Sequence, residues 1–289
     1  IDNHSTDHSL SIAHKFKRDN PHLTTHIIAR NKTYGLSESY NLGAKIAKAD
    51  YIVTLHSDSK LDSRYELGRL MEPFNRDHTI VCTAPLMILP KSVWQNYNFW
   101  QKCLFARDVE VVTASGNGKF ECYKKEAFLR IGGYDTERFG HTIGSEDADM
   151  HYRLKKIGTI FLSRAKVIHM HGLDKGYTLK QWISRRRFLS ITYGRHLQLH
   201  GAELRFWQML GFLTKPILVL VTALGLVQPL FFVPIIVFPF VYMYKMFTNR
   251  TTTRDWRIIL LPFLLIFLIY YETYWMVVSL LFIKAKDYN

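Results

Sequence analysis

Cysteine is scarce in this chain: Cys82, Cys103 and Cys122 are the three it has, and no two of them form a CxxC pair. That argues against a disulfide framework or a thiolate zinc site and for reduced core thiols in a cytosolic compartment. Acids are also few, 24 Asp and Glu against 38 Lys and Arg, giving a formal charge of +14. An excess of this size calls for an anionic partner: nucleic acid, acidic lipid or a phosphorylated substrate. No nucleic-acid reader motif is present, so nucleic acid is set aside. Neither an internal repeat nor a low-complexity segment is evident. With no initiator Met and no leader peptide ahead of Ile1, which already sits inside a motif, we expect an N-terminally truncated sequence.

What is present divides unevenly. From about residue 207 onward Leu, Ile, Val, Phe and Tyr dominate, in runs near the roughly 20 residues that cross a bilayer. Three such runs stand out, Trp207–Val227, Pro229–Met246 and Ile258–Ile283. From residue 181 to the end, twelve Lys and Arg face four Asp and Glu, nearly all outside the runs or at their edges. This is the pattern of cytoplasmic positive charge on a membrane protein. Lys215 and Glu272 fall inside runs, so each should face protein, water or the interface. We therefore expect three parts: a catalytic domain over 1–178, a basic amphipathic interface segment over 179–206, and a membrane region over 207–289 with two to three spans.

Residues 1 to about 175 alternate short apolar runs with helical stretches. Thr25–Ala29, Tyr51–Leu55, Thr79–Cys82 and Thr159–Leu162 have strand length and composition; Ser37–Ala49, Tyr65–Asn75 and Lys124–Ile131 have helical character. The alternation predicts an α/β fold with a largely parallel sheet, and ligands at the carboxyl ends of its strands.

Several motifs stand where such ligands would bind. Asp2-Asn3-His4-Ser5-Thr6-Asp7 is a polar turn able to accept hydrogen bonds from a nucleoside and to cap the next helix. Tyr51–Leu55 delivers His56-Ser57-Asp58, where an aspartate could hold a divalent cation against a diphosphate. Ser115-Gly116-Asn117-Gly118 permits close backbone approach to a ligand. His169 and His171 follow a strand at alternate positions, suited to metal or phosphate. Ser145-Glu146-Asp147-Ala148 reads as a helix start: Ser145 as N-cap, acids in the first turn, Lys155 and Lys156 in the last, and Gly158 as the stop. Its adjacent carboxylates could serve as a general base.

Together these residues resemble family 2 glycosyltransferases. Asp2–Asp7 is similar to that family's nucleotide-binding signature, Gly35-Leu-Ser-Glu-Ser-Tyr-Asn41-Leu-Gly43 to its Asn-x-Gly helix, and His56-Ser57-Asp58 to its Asp-x-Asp. Gly132-Gly-Tyr-Asp135 and Ser145-Glu-Asp147 resemble its Gly-Gly-Phe-Asp and Glu-Asp elements. The resemblance covers roughly residues 1 to 200 and implies the nucleotide-diphospho-sugar transferase (GT-A) fold, here without its first strand. It further implies a nucleotide-sugar donor, a divalent cation (Mg²⁺ or Mn²⁺) and inversion by a hexosyltransferase-type reaction. On this basis Asp147, with Glu146 as alternate, is the expected base. Asp2, Asn3, Ser5, Asp7, Asn41, His56, Ser57, Asp58, Gly116 and Asn117 would hold the donor. Asp58, His169 and His171 would hold the metal, since His56 replaces the first acid of the expected pair. Trp182, Arg185 and Arg186 are assigned to a phosphorylated acceptor. The expected protein is a multi-pass membrane glycosyltransferase with a cytosolic catalytic face, acting on a lipid-linked or envelope-glycan acceptor in polysaccharide biosynthesis. The rivals are a processive polysaccharide synthase, whose Gln-x-x-Arg-Trp is mis-spaced here as Gln181-Trp-Ile-Ser-Arg185, and a catalytically degenerate scaffold.

Overall fold

The computed structural model describes residues 1–114, 118–139, 146–170 and 176–283. Its strands are β1 (Tyr51–Leu55), β2 (Ser59–Leu61), β3 (Ile80–Ile88), β4 (Thr113–Ala114), β5 (Phe120–Lys124) and β6 (Thr159–His169). The helices of the first part are α1 (Ser9–Asp19), α2 (Leu36–Ile46), α3 (Glu66–Met71), α4 (Lys91–Gln95), α5 (Phe99–Phe105), α6 (Lys125–Arg130), α7 (Thr136–Phe139) and α8 (Glu146–Lys155). Those of the second are α9 (Leu179–His200), α10 (Phe206–Leu224), α11 (Val233–Tyr242), α12 (Tyr244–Thr248), α13 (Arg250–Thr253) and α14 (Leu261–Phe282).

The α/β class expected from the sequence is the one observed, but the sheet is mixed rather than largely parallel. Its order is β1-β5-β3-β6-β2, with β4 beside β3. Only β3 and β6 pair in parallel; β1 with β5, β5 with β3, β3 with β4 and β2 with β6 are antiparallel. Helical patterns between the longer strands suggested parallel crossovers, and the short return strands β2, β4 and β5 overrode that pattern. Thr25–Ala29 forms no strand: Ala29 makes one isolated parallel bridge with Asp2.

The apolar C-terminal helices are joined to the α/β part by a shared core. Leu89, Trp94, Phe99 and Phe105 pack there with Trp182, Met246, Leu261, Leu265 and Leu268. The segment expected to lie flat on an interface is instead a bridge. Over its second half α9 buries Ser190, Ile191, Thr192, Arg195, His196 and Leu197, and it runs against α14. Gly194 makes that approach possible, because a Cβ there would stand 2.5 Å from Met276 O and 2.7 Å from Ser279 Cβ. Ser279 Oγ donates to Ile191 O at 2.7 Å across the same contact.

Among the described residues, two helices are long and apolar enough to cross a membrane, Phe206–Leu224 and Leu261–Phe282. The middle run, expected as a span over Pro229–Met246, does not form one. Its α-helix has 10 residues, with Pro239 inside it, and ends at Met243. At 1.5 Å per residue that is about half the hydrocarbon thickness.

Candidate functional site

The site forms where β1 and β6 end and β5 and α8 begin. α8 starts at Glu146, while Ser145, its expected cap, lies outside the described residues. The three acids of its first turn have different fates. Asp149 is fully buried and structural: Oδ2 accepts from Arg153 Nε at 2.8 Å and Oδ1 pairs with His200 Nε2 at 2.9 Å, tying α8 to α9. Glu146 is buried. Asp147 is half-buried, and its Oδ1 accepts from Ala148 N at 2.9 Å. Burial, then the nearby charge of Glu121, pushes the Asp147 carboxyl above the ordinary range. A carboxyl raised in this way suits a proton acceptor working near neutrality.

β1 carries the second group. Its pairing with β5 extends one residue past the strand, as His56 N donates to Lys119 O at 3.0 Å, and a tight turn closes with Ser59 N to His56 O at 3.1 Å. Asp58 sits in that turn. Its backbone is held by Met170 N, 2.8 Å from Asp58 O, and its Oδ2 lies 3.0 Å from His169 Nε2. His56 Nδ1 is 3.7 Å from Asp58 Oδ1, and His56 Nε2 is buried with no hydrogen-bond partner. Burial lowers the His169 pKa, favouring the neutral imidazole that ligates metals. Asp58, His169 and His56 are thus brought together, while His171 lies outside the described residues, as do Gly116 and Asn117. Ser57 is exposed on the same turn. This set of one carboxylate and two imidazoles could hold a divalent cation.

A third set had not been expected. Lys119, immediately before β5, and Glu121, two residues on and within it, are near enough to Asp147 for both charges to act on it. Burial pulls the Lys119 ammonium down, against the opposing charges of Asp147, Asp58 and Glu121. Glu121 is fully buried; its Oε2 meets His151 Nε2 at 3.0 Å and accepts from the Tyr123 hydroxyl. Burial would raise this carboxyl, but His151 and Tyr123 together hold it below its usual range. Cys82 completes a cluster with Glu121 and His151 whose ligand atoms lie within 4.8 Å of one another. Burial, however, drives the Cys82 thiol far above its ordinary pKa, so the group reads as a satisfied ion pair beside a thiol. Tyr40 marks the centre: burial raises its hydroxyl pKa first, then Glu121, Asp58, Asp147 and Glu146 in turn. The signal for Lys119 and Glu121 in the sequence was charge at alternate positions where an otherwise apolar strand begins.

Other residues expected at the donor make bonds to the backbone within the chain. Asn41 Nδ2 donates to Tyr134 O and its Oδ1 accepts from Tyr134 N, both at 2.8 Å. Its amide is therefore engaged in holding the Gly132-Gly-Tyr-Asp turn rather than a ligand. Gly133 is required there: its φ is +71°, and a Cβ would lie 2.3 Å from Asn41 Oδ1. Asn3 likewise clamps the Tyr34 backbone, donating to O at 2.5 Å and accepting from N at 2.9 Å. Asp2 accepts from Ser5 N at 3.1 Å, and Asp7 from Ser9 N at 2.9 Å, as turn and helix-start caps. The bond from Ser5 holds the Asp2 carboxyl below its ordinary value.

Of the acceptor residues, Trp182 is fully buried, stacked on Trp100 at 5.7 Å between centroids, and cannot present itself to a ligand. Arg186 is paired with Glu272 at 2.6 Å. Arg185 lines a large cavity, and its charge is felt by Lys119.

Residues 1–122 match Glycosyl transferase family 2. No curated protein matches the chain. Among solved structures, it resembles the mannosyltransferase PcManGT from Pyrobaculum calidifontis, in complex with GDP-Man and Mn²⁺. The TM-score is 0.54 and the identity 12%, over 97% of this chain and 76% of the other. It also aligns with GalNAc-T7 bound to UDP, GalNAc and Mn²⁺, at a TM-score of 0.49 and 17% identity, over 75% of this chain and 44% of that one. Residues 1–122 of this chain thus match the family 2 model, within a chain that has the GT-A fold and, among its described residues, two long apolar helices.

Proposed function

We propose that the chain transfers a sugar from a nucleotide-sugar donor to a hydroxyl of a lipid-linked or envelope-glycan acceptor, with inversion, at the cytosolic face of a membrane. The observation that carries this reading is the turn after β1 that sets Asp58 Oδ2 3.0 Å from His169 Nε2 with His56 beside it, close enough to Asp147, Glu121 and Lys119 for their charges to act on one another. Asp147 takes the proton of the acceptor hydroxyl as that oxygen bonds the anomeric carbon, whose bond to the donor diphosphate breaks on the opposite face. Lys119 sits to offset the charge gathering on the departing diphosphate, and Glu121, locked by His151, keeps Lys119 and Asp147 in place. Asp58 and His169, with His56 beside them, would hold a divalent cation, which supplies Lewis-acid neutralisation of that diphosphate. Nearness of His169 to Asp58 offsets the loss of the first acid at His56 and favours the enzyme over the degenerate scaffold.

Membrane attachment is supported by exposed apolar surface on the C-terminal helices. Phe206, Trp207, Leu220, Phe263 and Phe282 are each at least 68% exposed on the two long apolar helices. Basic residues Arg250, Arg254 and Arg257 between the apolar helices favour the cytosolic side there.

The test offers the protein in membranes a panel of nucleotide sugars with Mn²⁺, beside Asp147→Asn. Metal-dependent release of nucleoside diphosphate that disappears in the variant is expected. Turnover that survives Asp147→Asn intact would overturn the choice of base, and absence of both binding and turnover for every donor would overturn the reading.

A further inference from the structure

A second concentration of charge lies where the chain is most apolar. A cavity of ≈ 1280 Å³ is lined by residues of α9, α10, α11 and α14 and reaches Ala148, the neighbour of Asp147. Four cations stand on its wall, Arg107, Arg185, Arg186 and Lys215, against two carboxylates, Asp108 and Glu272. Three of the cations converge on Tyr242. Arg107 Nη1 and Arg186 Nη2 each donate to its hydroxyl oxygen at 3.2 Å, and Lys215 Nζ is 5.6 Å from its ring centre. Arg186 forks onto Glu272 at 2.6 and 3.2 Å, and Lys215 bonds the same carboxylate. Burial pushes the Asp108 carboxyl up, which weakens the other counter-charge on the wall.

Charge held among apolar helices is costly unless neutralised, and the one buried carboxylate of Glu272 faces two cations, Arg186 and Lys215, with the exposed Arg107 adding a third beside Tyr242. A phosphoryl group would complete the balance and matches the fork of an arginine beside a lysine. The remainder of the wall is apolar and aromatic, with Phe188, Phe212, Phe238 and Met276. Gly211 also lines it, and a Cβ there would meet nothing within 4 Å, so the space beside α10 is open.

We propose that this cavity is the acceptor site and takes an anionic lipid, its phosphoryl head on Arg107, Arg186 and Lys215 and its hydrocarbon tail along Phe212, Phe238 and Met276. The assignment rests on the transferase reading above and names its acceptor: a lipid-phosphate-linked hydroxyl compound whose polar end extends past Ala148 to Asp147. Arg185, on the cavity wall and within reach of the Lys119 charge, links the two sites.

The test titrates the full chain in detergent micelles with farnesyl phosphate, farnesol and inorganic phosphate, and follows nucleotide-sugar binding on the same sample. Farnesyl phosphate is expected to bind at least about tenfold more tightly than either comparison compound, because it alone has both head and tail. Lys215→Gln should weaken it by about tenfold through the head. Gly211→Phe should weaken it similarly by filling the space for the tail, without meeting the backbone of a neighbour. Equal binding of farnesol, or of inorganic phosphate, would overturn the proposal, as would unchanged binding by Gly211→Phe. Nucleotide-sugar binding without farnesyl phosphate binding sinks this inference alone. Farnesyl phosphate binding without any nucleotide sugar supports the lipid site and sinks the transferase reading.

Discussion

At the strand ends carboxylates outnumber cations, with Asp58, Glu121 and Asp147 acting on Lys119; between the apolar helices cations outnumber carboxylates, with Arg186 and Lys215 on Glu272 and Arg107 on Tyr242. The difference teaches what each place can accept. An acid-rich cleft repels a diphosphate unless a cation enters with it, whereas a cation-rich cavity receives an anion directly. Half-burial at the first site keeps Asp147 open to a reacting hydroxyl. At the second, the buried Glu272 carboxylate ties Arg186 and Lys215 to itself.

The comparison breaks most sharply at Asp147. Asp147→Asn should lower turnover by roughly 10²–10⁴-fold while leaving nucleotide-sugar affinity within a few-fold, read as nucleoside diphosphate release beside donor titration. Glu272→Gln tests the other side: with Arg186 and Lys215 left without their counter-ion, it should cost about 3–5 kcal/mol of stability, measured as denaturant unfolding in micelles. An unchanged midpoint would show that the helical cluster is not a buried ion pair in solution. Gly133→Ala combines the left-handed backbone with the clash against Asn41, and should cost about 1–3 kcal/mol and lower activity through the displaced turn. The smallest effect is in pH. Asp147 must be ionised to accept a proton and its pKa is raised, so the acid limb of the rate should lie above that of an ordinary carboxylate. Glu121→Gln removes one cause of that rise and should move the limb to lower pH by less than about one unit. A limb moving the opposite way would remove Glu121 from the electrostatics of the base.

Much of the site was legible because its motifs are local. Glu146-Asp147 at a helix start, Asp58 just past a strand and His169 at the end of another were each readable from neighbours a few residues away. Lys119 and Glu121 were not singled out, although their alternate spacing at the start of an apolar strand was a usable signal. Asn3 and Asn41 were read as ligand contacts because a polar residue in a motif looks the same whether its partner is a nucleotide or a backbone 31 or 93 residues away. Trp182 looked like an interfacial aromatic beside three arginines, and only packing against Trp100 shows it in the core.

By itself the sequence determined the α/β class, the helix starting at Glu146, the apolar character of the two long C-terminal helices and the need of Lys215 and Glu272 for protected partners. Periodicity, capping and hydropathy act over a few residues and are written in the chain. Tertiary structure alone decided the mixed order of the sheet, the failure of the middle apolar run to span, the meeting of Asp58 with His169 and the convergence of three cations on Tyr242. Those depend on which surfaces are buried together, and burial is what turns a charge from a solubilising group into one that must find a partner.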